Sequence, residues 1–398
     1  MSSTLRVLVI GGGLGGLCLA QGLHKVGADV AVYERDPALA ARSQGYRVHL
    51  DNRGIQPLRD CLPTALFDLF EATGGQPSTG MTIFRVTATG LAEQYTVRFP
   101  DGDGEVLARP GRAVDRLTLR EILLAGLDGM VHLGKEFTRY ELLPTGEVQA
   151  HFADGSAATG DLLVGADGVN SRVRQQLLPE VTLTDTGTRW LGGRTPLDAG
   201  IRALLPAELS DRAVSVSDDG TTFFLAAVQF QNRPSAAARR LWSPVRFTHD
   251  EDYVMWALIG RPGQLPIPDE DLAVMDAARL HRTARQATAD RHPMLAALVR
   301  AAPPDSCFYL AIRATEPVED WPAGPVTLLG DAIHAGPVNG NGANSALRDA
   351  GLLRHHLTTG APLPQAVHGY QIEMLRLARA VREATDAQIR TMAGRDRR

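Results

Sequence analysis

The stretch "LRVLVIGGGLGGLCLAQGLHKVGADVAVYERD", residues 5–36, restricts the fold of this chain more than any other. An apolar run at 5–10, a turn in which five of the six residues 11–16 are glycine, helical apolar spacing over 14–26 and a β-branched run at 29–34 follow in order. They predict strand, turn, helix and strand, a unit that closes a parallel strand pair. Within the G-x-G-x-x-G pattern, Gly11 permits the tight turn, Gly13 lets phosphates approach the backbone, and Gly16 lets helix and strand pack closely. The first amides of the helix lack internal partners and present the positive end of its dipole to an anion. Glu34 closes the second strand, about 20 residues on, where a carboxylate accepts hydrogen bonds from ribose hydroxyls. Together these residues point to a dinucleotide, and leave NAD and FAD both open.

At 398 residues the chain is long enough for two domains. A formal net charge of −4 argues against a nucleic-acid partner. Cys18, Cys61 and Cys307 are odd in number and widely spaced, so they suit neither a disulfide framework nor zinc, and no metal site is expected. A reducing, cytoplasmic setting follows as the expectation. The first strand begins too early for a signal peptide, and no apolar run reaches membrane-spanning length. Residues 363–390 show helical apolar spacing and are expected to pack on the chain's own domain rather than on a membrane.

Two more stretches carry chemistry. In "DLLVGADGVNSRVR", residues 161–174, Asp167 and Gly168 end an apolar strand, and Ser171 is placed to cap a helix. In "VTLLGDAIHAGPVNGNGANSALRDAGLL", residues 326–353, Asp331 stands at a strand end where it can meet a ribityl hydroxyl. Pro337, Gly340 and Gly342 let backbone pass close to a flat ring, and the next helix aims its first amides at an anion. His334 is read as a packed structural residue rather than a base. Residues 81–99 read as strands, "RAVDRLTLREILLAGL" at 112–127 as an amphipathic helix, and 270–301 as mainly helical with a break at His292-Pro293. Between 176 and 265 the pattern shifts to longer strands rich in aromatics. Phe223, Phe224, Phe230, Met255 and Trp256 are the candidate substrate walls, although strand alternation lets only about half of them face one pocket.

The three motifs, in this order, resemble the single-component FAD-dependent aromatic hydroxylases of the para-hydroxybenzoate hydroxylase type. Among these the chain is most similar to the shorter members, such as tetracycline-inactivating monooxygenases. The resemblance runs from about residue 5 to 385 and is only in outline over 176–300. It implies an α/β fold, in which a Rossmann-like FAD-binding domain (1–75, 100–175 and 285–360) is interleaved with a smaller sheet-based substrate domain (76–99 and 176–284). A C-terminal helix covers 361–398. It implies FAD contacts at Gly11, Gly13, Leu14, Gly15, Gly16, Glu34, Arg35, Arg116, Asp331, Pro337, Gly342, Ala343 and Asn344, with Arg42 as a further arginine near the cofactor. Asp167 matches a position linked to both FAD and the nicotinamide donor. The implied activity is insertion of one oxygen atom from O₂ into an aromatic or polyketide-like small molecule through a C4a-hydroperoxyflavin. NAD(P)H would be a transient electron donor, since the chain holds no second glycine motif for a fold of its own. A flavin oxidase or dehydrogenase, and a non-catalytic flavoprotein that sequesters a hydrophobic molecule, are the competing expectations.

Overall fold

The computed structural model of the protein describes residues 5–38, 45–100, 109–218, 220–265, 267–336 and 340–395. Arg42 and Pro337 lie outside the described residues. Strand Arg6–Ile10, helix Leu14–Lys25 and strand Asp29–Glu34 form the expected unit. The strands are flanked by Leu162–Gly165, Val326–Leu328 and Val131–Leu133 in one five-stranded parallel sheet. Val7, Val9, Leu163, Val164 and Leu328 are almost fully buried, as strands covered on both faces require. Register places Ile10 opposite both Gly165 and Tyr33, and Gly165 opposite Leu328. The Gly11, Ala166 and Leu329 turns therefore leave the carboxyl edge of the sheet side by side. That edge is where open α/β sheets bind ligands.

A second, seven-stranded sheet runs in the order Phe308–Thr315, Leu183–Pro196, Tyr253–Gly260, Thr221–Val228, Ala213–Asp218, Gly80–Thr87 and Gly90–Arg98. Helices Ala277–Thr288 and Pro293–Ala301 cover one face, packing Leu280, Leu295 and Leu298 against Val214, Leu225, Val254 and Trp256. The opposite face carries Tyr46, Trp190, Tyr253, Met255 and Phe308. Helix Gly342–Leu357 lies against Leu14–Lys25, and the long helix Leu363–Arg395 packs on it in turn. No helix among the described residues is long and apolar enough to cross a membrane.

Two sequence expectations differ from this arrangement. Residues 285–315 stay with the seven-stranded sheet, because Phe308–Thr315 pairs along Leu183–Pro196 and helix Pro293–Ala301 packs beneath it. The expected boundary after residue 284 thus falls inside one packed layer. The segment 112–127 is not a single helix. Gly111–Asp115 is a strand paired antiparallel with Arg47–Leu50, and the helix begins only at Arg116. Asp115 ends the strand, and its carboxylate accepts the Thr118 N–H at 2.7 Å as the helix cap.

Candidate active site

A cavity of about 1830 Å³ opens between the carboxyl edge of the parallel sheet and the exposed face of the seven-stranded sheet. It exceeds the roughly 300–1,000 Å³ of an ordinary small-molecule pocket, leaving room for a dinucleotide and a second molecule. Gly11, Gly13, Leu14, Gly15, Gly16, Glu34, Arg35, Arg116, Asp167, Asp331, Gly342 and Ala343 all line it. Asn344 does not. Its buried amide accepts the Asp51 N–H and donates to the His49 and Gly340 carbonyls, tying strand Arg47–Leu50 to the helix that starts at Gly342.

The glycines of the first turn have different tasks. Gly11 has φ of 111°, and a Cβ there would stand 2.3 Å from the Ala166 carbonyl oxygen. At Gly16 a Cβ would meet the Gly11 carbonyl oxygen at 2.1 Å. A Cβ on Gly13 meets nothing within 4 Å and would extend into the cavity. The turn is therefore packed from behind and open in front. Helix Leu14–Lys25 has no side chain bonded at its N-cap, nor has helix Gly342–Leu357. Both helices begin at the cavity wall, so two sets of orphan amides border it.

Glu34 braces this turn. One carboxylate oxygen accepts the Gly12 N–H at 2.9 Å and Arg120 at 3.0 Å, and the other accepts the Asp36 N–H at 2.9 Å. Arg120 also donates to the Gly12 carbonyl at 2.7 Å. Sequence reading had not singled out Arg120. Its signal is the spacing of "VDRLTLR", which sets Arg116 and Arg120 four residues apart on one helix face. Burial lowers the pKa of the Arg116 guanidinium, and nearby Asp331 opposes that shift.

Asp167 accepts the Arg172 N–H at 2.8 Å, and Ser171 caps the following helix through the Arg174 N–H at 2.9 Å. Among the described residues the second Asp167 oxygen is buried without a hydrogen-bond partner, and burial raises the carboxyl pKa. At the third motif, Asp349 accepts the Gly330 N–H at 2.9 Å and bonds His334 Nε2 at 2.5 Å. Burial disfavours the His334 imidazolium, but the Asp349 carboxylate outweighs it and raises the pKa. The fully buried Asp349 thus holds the turn that presents Asp331, and His334 bonds to it at the cavity wall.

The second wall of the cavity comes from the seven-stranded sheet. Phe224 and Met255 line it, whereas Phe223 and Trp256 lie in the core on the helix-covered face. Neighbouring residues on a strand point to opposite faces, so one residue of each adjacent pair is excluded. Trp256 donates its indole N–H to Thr195 at 3.1 Å on that far side. Phe230 follows the end of its strand, packs beside Val228 and Tyr253, and is not part of the cavity wall. Residues missed from sequence are Tyr46, Trp190 and Arg194. Trp190 and Arg194 share a strand face with Gly192 between them, and Trp190 packs 5.8 Å from Phe224 between ring centroids.

The open glycine cradle, the orphan Asp167 oxygen and the two uncapped helix starts fit a dinucleotide joined to a flat ring. Comparison with known proteins agrees. Residues 9–69 match the family model of an NAD(P)-binding Rossmann-like domain. The dual O-methyltransferase/FAD-dependent monooxygenase elcB of Phaeosphaeria nodorum is 34% identical over 376 residues, covering 87% of this chain and 39% of that protein. The chain spans less than half the length of such fungal relatives. The 6-hydroxynicotinate 3-monooxygenase of Bordetella bronchiseptica is 28% identical, over 89% of this chain and 82% of its own. A solved structure from Photorhabdus luminescens, assigned as an FAD-containing monooxygenase, is 29% identical with a TM-score of 0.76, covering 97% of this chain and 99% of its own. Likeness that extends through both sheets, and not only through the nucleotide turn, shows that the chain belongs to the FAD-dependent monooxygenase family.

Proposed function

We propose that the protein binds FAD in this cavity and uses NAD(P)H and O₂ to insert one oxygen atom into a flat aromatic or polyketide-like molecule. One observation carries the reading: the Gly11, Asp167 and Asp331 turns converge on a cavity whose far wall is the apolar face of a second sheet. When bound, the flavin supplies the electron transfer and oxygen activation that amino-acid side chains lack.

The remaining tasks fall to the chain's own residues. The amides after Gly13 hold the pyrophosphate, and Glu34 and Arg120 keep that turn rigid. Arg35 and Arg116 supply positive charge along the same wall. Asp331 accepts from a ribityl hydroxyl, held in place by Asp349. Amides at Gly342 and Ala343 stabilise negative charge on the ring edge. Trp190, Phe224 and Met255 exclude water and stack a flat substrate. The 6-hydroxynicotinate 3-monooxygenase relative acts, by its name, on a flat heteroaromatic ring, which favours such a substrate here.

Purified protein is expected to be yellow and to release FAD on denaturation; release of FMN, or failure to bind FAD, would remove the basis of the reading. Stopped-flow reduction under nitrogen with NADPH and NADH then tests the donor. A true substrate is expected to speed reduction by roughly tenfold or more, about 1.4 kcal/mol of barrier, because reduction without substrate wastes the donor. Substrate-dependent oxygen uptake separates a monooxygenase from a binder that only sequesters. Asp331→Ala is expected to weaken FAD binding at least about tenfold, since a hydrogen bond to a charged group contributes roughly 1.5–3 kcal/mol. Asp331→Asn, which keeps one acceptor, should lose less. Equal, small effects in a fluorescence titration would show that Asp331 does not contact the cofactor.

A further inference from the structure

Cys18 and Cys61 lie outside the cavity and far apart in the chain, and the fold brings them together. Cys18 stands one turn into helix Leu14–Lys25, behind the amides that open it, and Cys61 is the last residue of helix Asn52–Cys61. Both are fully buried free thiols, and Cys18 donates its S–H to the Cys61 sulfur. Gly22 shares the helix face of Cys18, one turn further on. A Cβ there would stand 2.8 Å from Cys61 Sγ and 3.1 Å from Arg354 Cδ, so the glycine makes room for the sulfur and for the Arg354 stem.

The surroundings favour a thiolate at Cys61. Lys25 donates to the Asp60 carbonyl at 3.0 Å and to the Leu62 carbonyl at 2.8 Å, which sets a cation beside the residue between them. Arg354 packs over the same glycine as the sulfur, and its Nε is buried without a hydrogen-bond partner among the described residues. The bond from Cys18 holds the Cys61 pKa below its ordinary value against burial, with Arg354 and Lys25 helping and Asp60 opposing. The same bond, together with burial, raises that of Cys18. One sulfur is thus poised as the nucleophile and the other as its resolving partner. Helix ends open more readily than helix centres, so fraying of the last turn at Cys61 admits a small oxidant.

We infer that Cys18 and Cys61 form a thiol–disulfide modification site, oxidised by hydrogen peroxide to a bond that ties helix Asn52–Cys61 to helix Leu14–Lys25. The Cys61 thiolate attacks one peroxide oxygen; the O–O bond breaks, hydroxide leaves and Cys61 becomes a sulfenic acid. The Cys18 sulfur then attacks the Cys61 sulfur, the S–O bond breaks and the oxygen leaves as water with the Cys18 proton. The two thiols lose two electrons and two protons, and peroxide becomes two waters. Asp51 caps helix Asn52–Cys61 through the Arg53 N–H at 3.1 Å, and its own N–H donates to Asn344 of helix Gly342–Leu357 at 3.1 Å. The disulfide therefore completes a tie among three helices, two of which begin at the cavity wall. This inference is independent of what the cavity oxidises.

The test treats the purified protein, with its bound cofactor, with hydrogen peroxide and then counts thiols by N-ethylmaleimide labelling in urea and intact mass. Reduced protein should label at all three cysteines, and oxidised protein at one, Cys307. Trypsin should release peptides 7–25 and 60–85, each holding one of the two cysteines, as a linked pair that dithiothreitol separates. Cys307→Ser should still form the link, and Cys61→Ser should not. Closing a long loop should raise the melting temperature by at least about 2 °C in wild type and in Cys307→Ser, with no rise in Cys61→Ser. Three labelled cysteines after peroxide would overturn the inference. So would a link to Cys307 or to a second chain, oxygen added to Cys61 without a link, or a link that leaves the melting temperature unchanged.

Discussion

Gly13→Val is expected to abolish tight FAD binding while leaving the protein folded. A Cβ at this position meets no atom of the described residues within 4 Å, and the backbone is extended, with φ of −77° and ψ of −178°. The added isopropyl group therefore costs the fold no more than about 1 kcal/mol, mainly as a poorer N-cap. It stands where, in the proposed binding mode, the pyrophosphate meets the amides that open helix Leu14–Lys25. Losing two charge-assisted bonds of roughly 1.5–3 kcal/mol each weakens binding by more than about a hundredfold. Gly16→Val provides the contrast. Its Cβ would sit 2.1 Å from the Gly11 carbonyl oxygen and 3.2 Å from Val9 and Ala166 side chains, so the strand and helix must separate. That variant should lose stability by about 3 kcal/mol or more, as severe overpacking does. Circular dichroism melts and FAD titration of both variants decide the matter. A Gly13→Val protein that binds FAD normally would show that the pyrophosphate lies elsewhere.

The second large effect is expected at Asp115. Asp115→Ala deprives the Tyr253 hydroxyl, His249 Nδ1 and the Thr118 amide of their common acceptor. Breaking a buried charged cluster from one side typically costs about 3–5 kcal/mol. Burial alone would raise the Asp115 pKa; bonds from His249 and Tyr253 outweigh it and hold the pKa below its ordinary 3.8. The sign follows from linkage. A depressed folded pKa contributes stability that is present above 3.8 and lost as pH falls through the folded value. The gap between wild type and Asp115→Asn in urea unfolding should therefore be widest at neutral pH and narrow in acid. A loss under about 1 kcal/mol for Asp115→Ala would mean that the cluster relaxes or hydrates freely.

The same cluster shows why part of the site was not legible in the sequence. Asp115, His249 and Tyr253 come from a strand end, a loop and a strand far apart in the chain, and nothing in their local spacing announces that they meet. Arg194 is similar. Its strand was not recognised, and its place over two rings depends on Tyr46 and Tyr253 arriving from elsewhere. The expected helix over 112–127 failed because helical spacing in "RLTLREILL" was extended back across a strand, Gly111–Asp115, whose partner is Arg47–Leu50.

What the sequence determined by itself is local. The glycine turn, the two strands around it, the Asp167 and Asp331 turns and the uncapped helix starts each depend on residues within about one element of each other. Backbone sterics and the exposed amides of a helix act at that range, so spacing alone reveals them. Only the tertiary structure decided which aromatics face the cavity. Alternation made Phe223 and Phe224 equivalent in sequence, and the helices packed over one sheet face chose between them. It also decided that Glu34 braces the turn through Arg120, that Asp349 holds Gly330, and that Arg194 and Arg47 border the same cavity. Such pairings depend on distances closed by long-range packing, which sequence spacing does not encode.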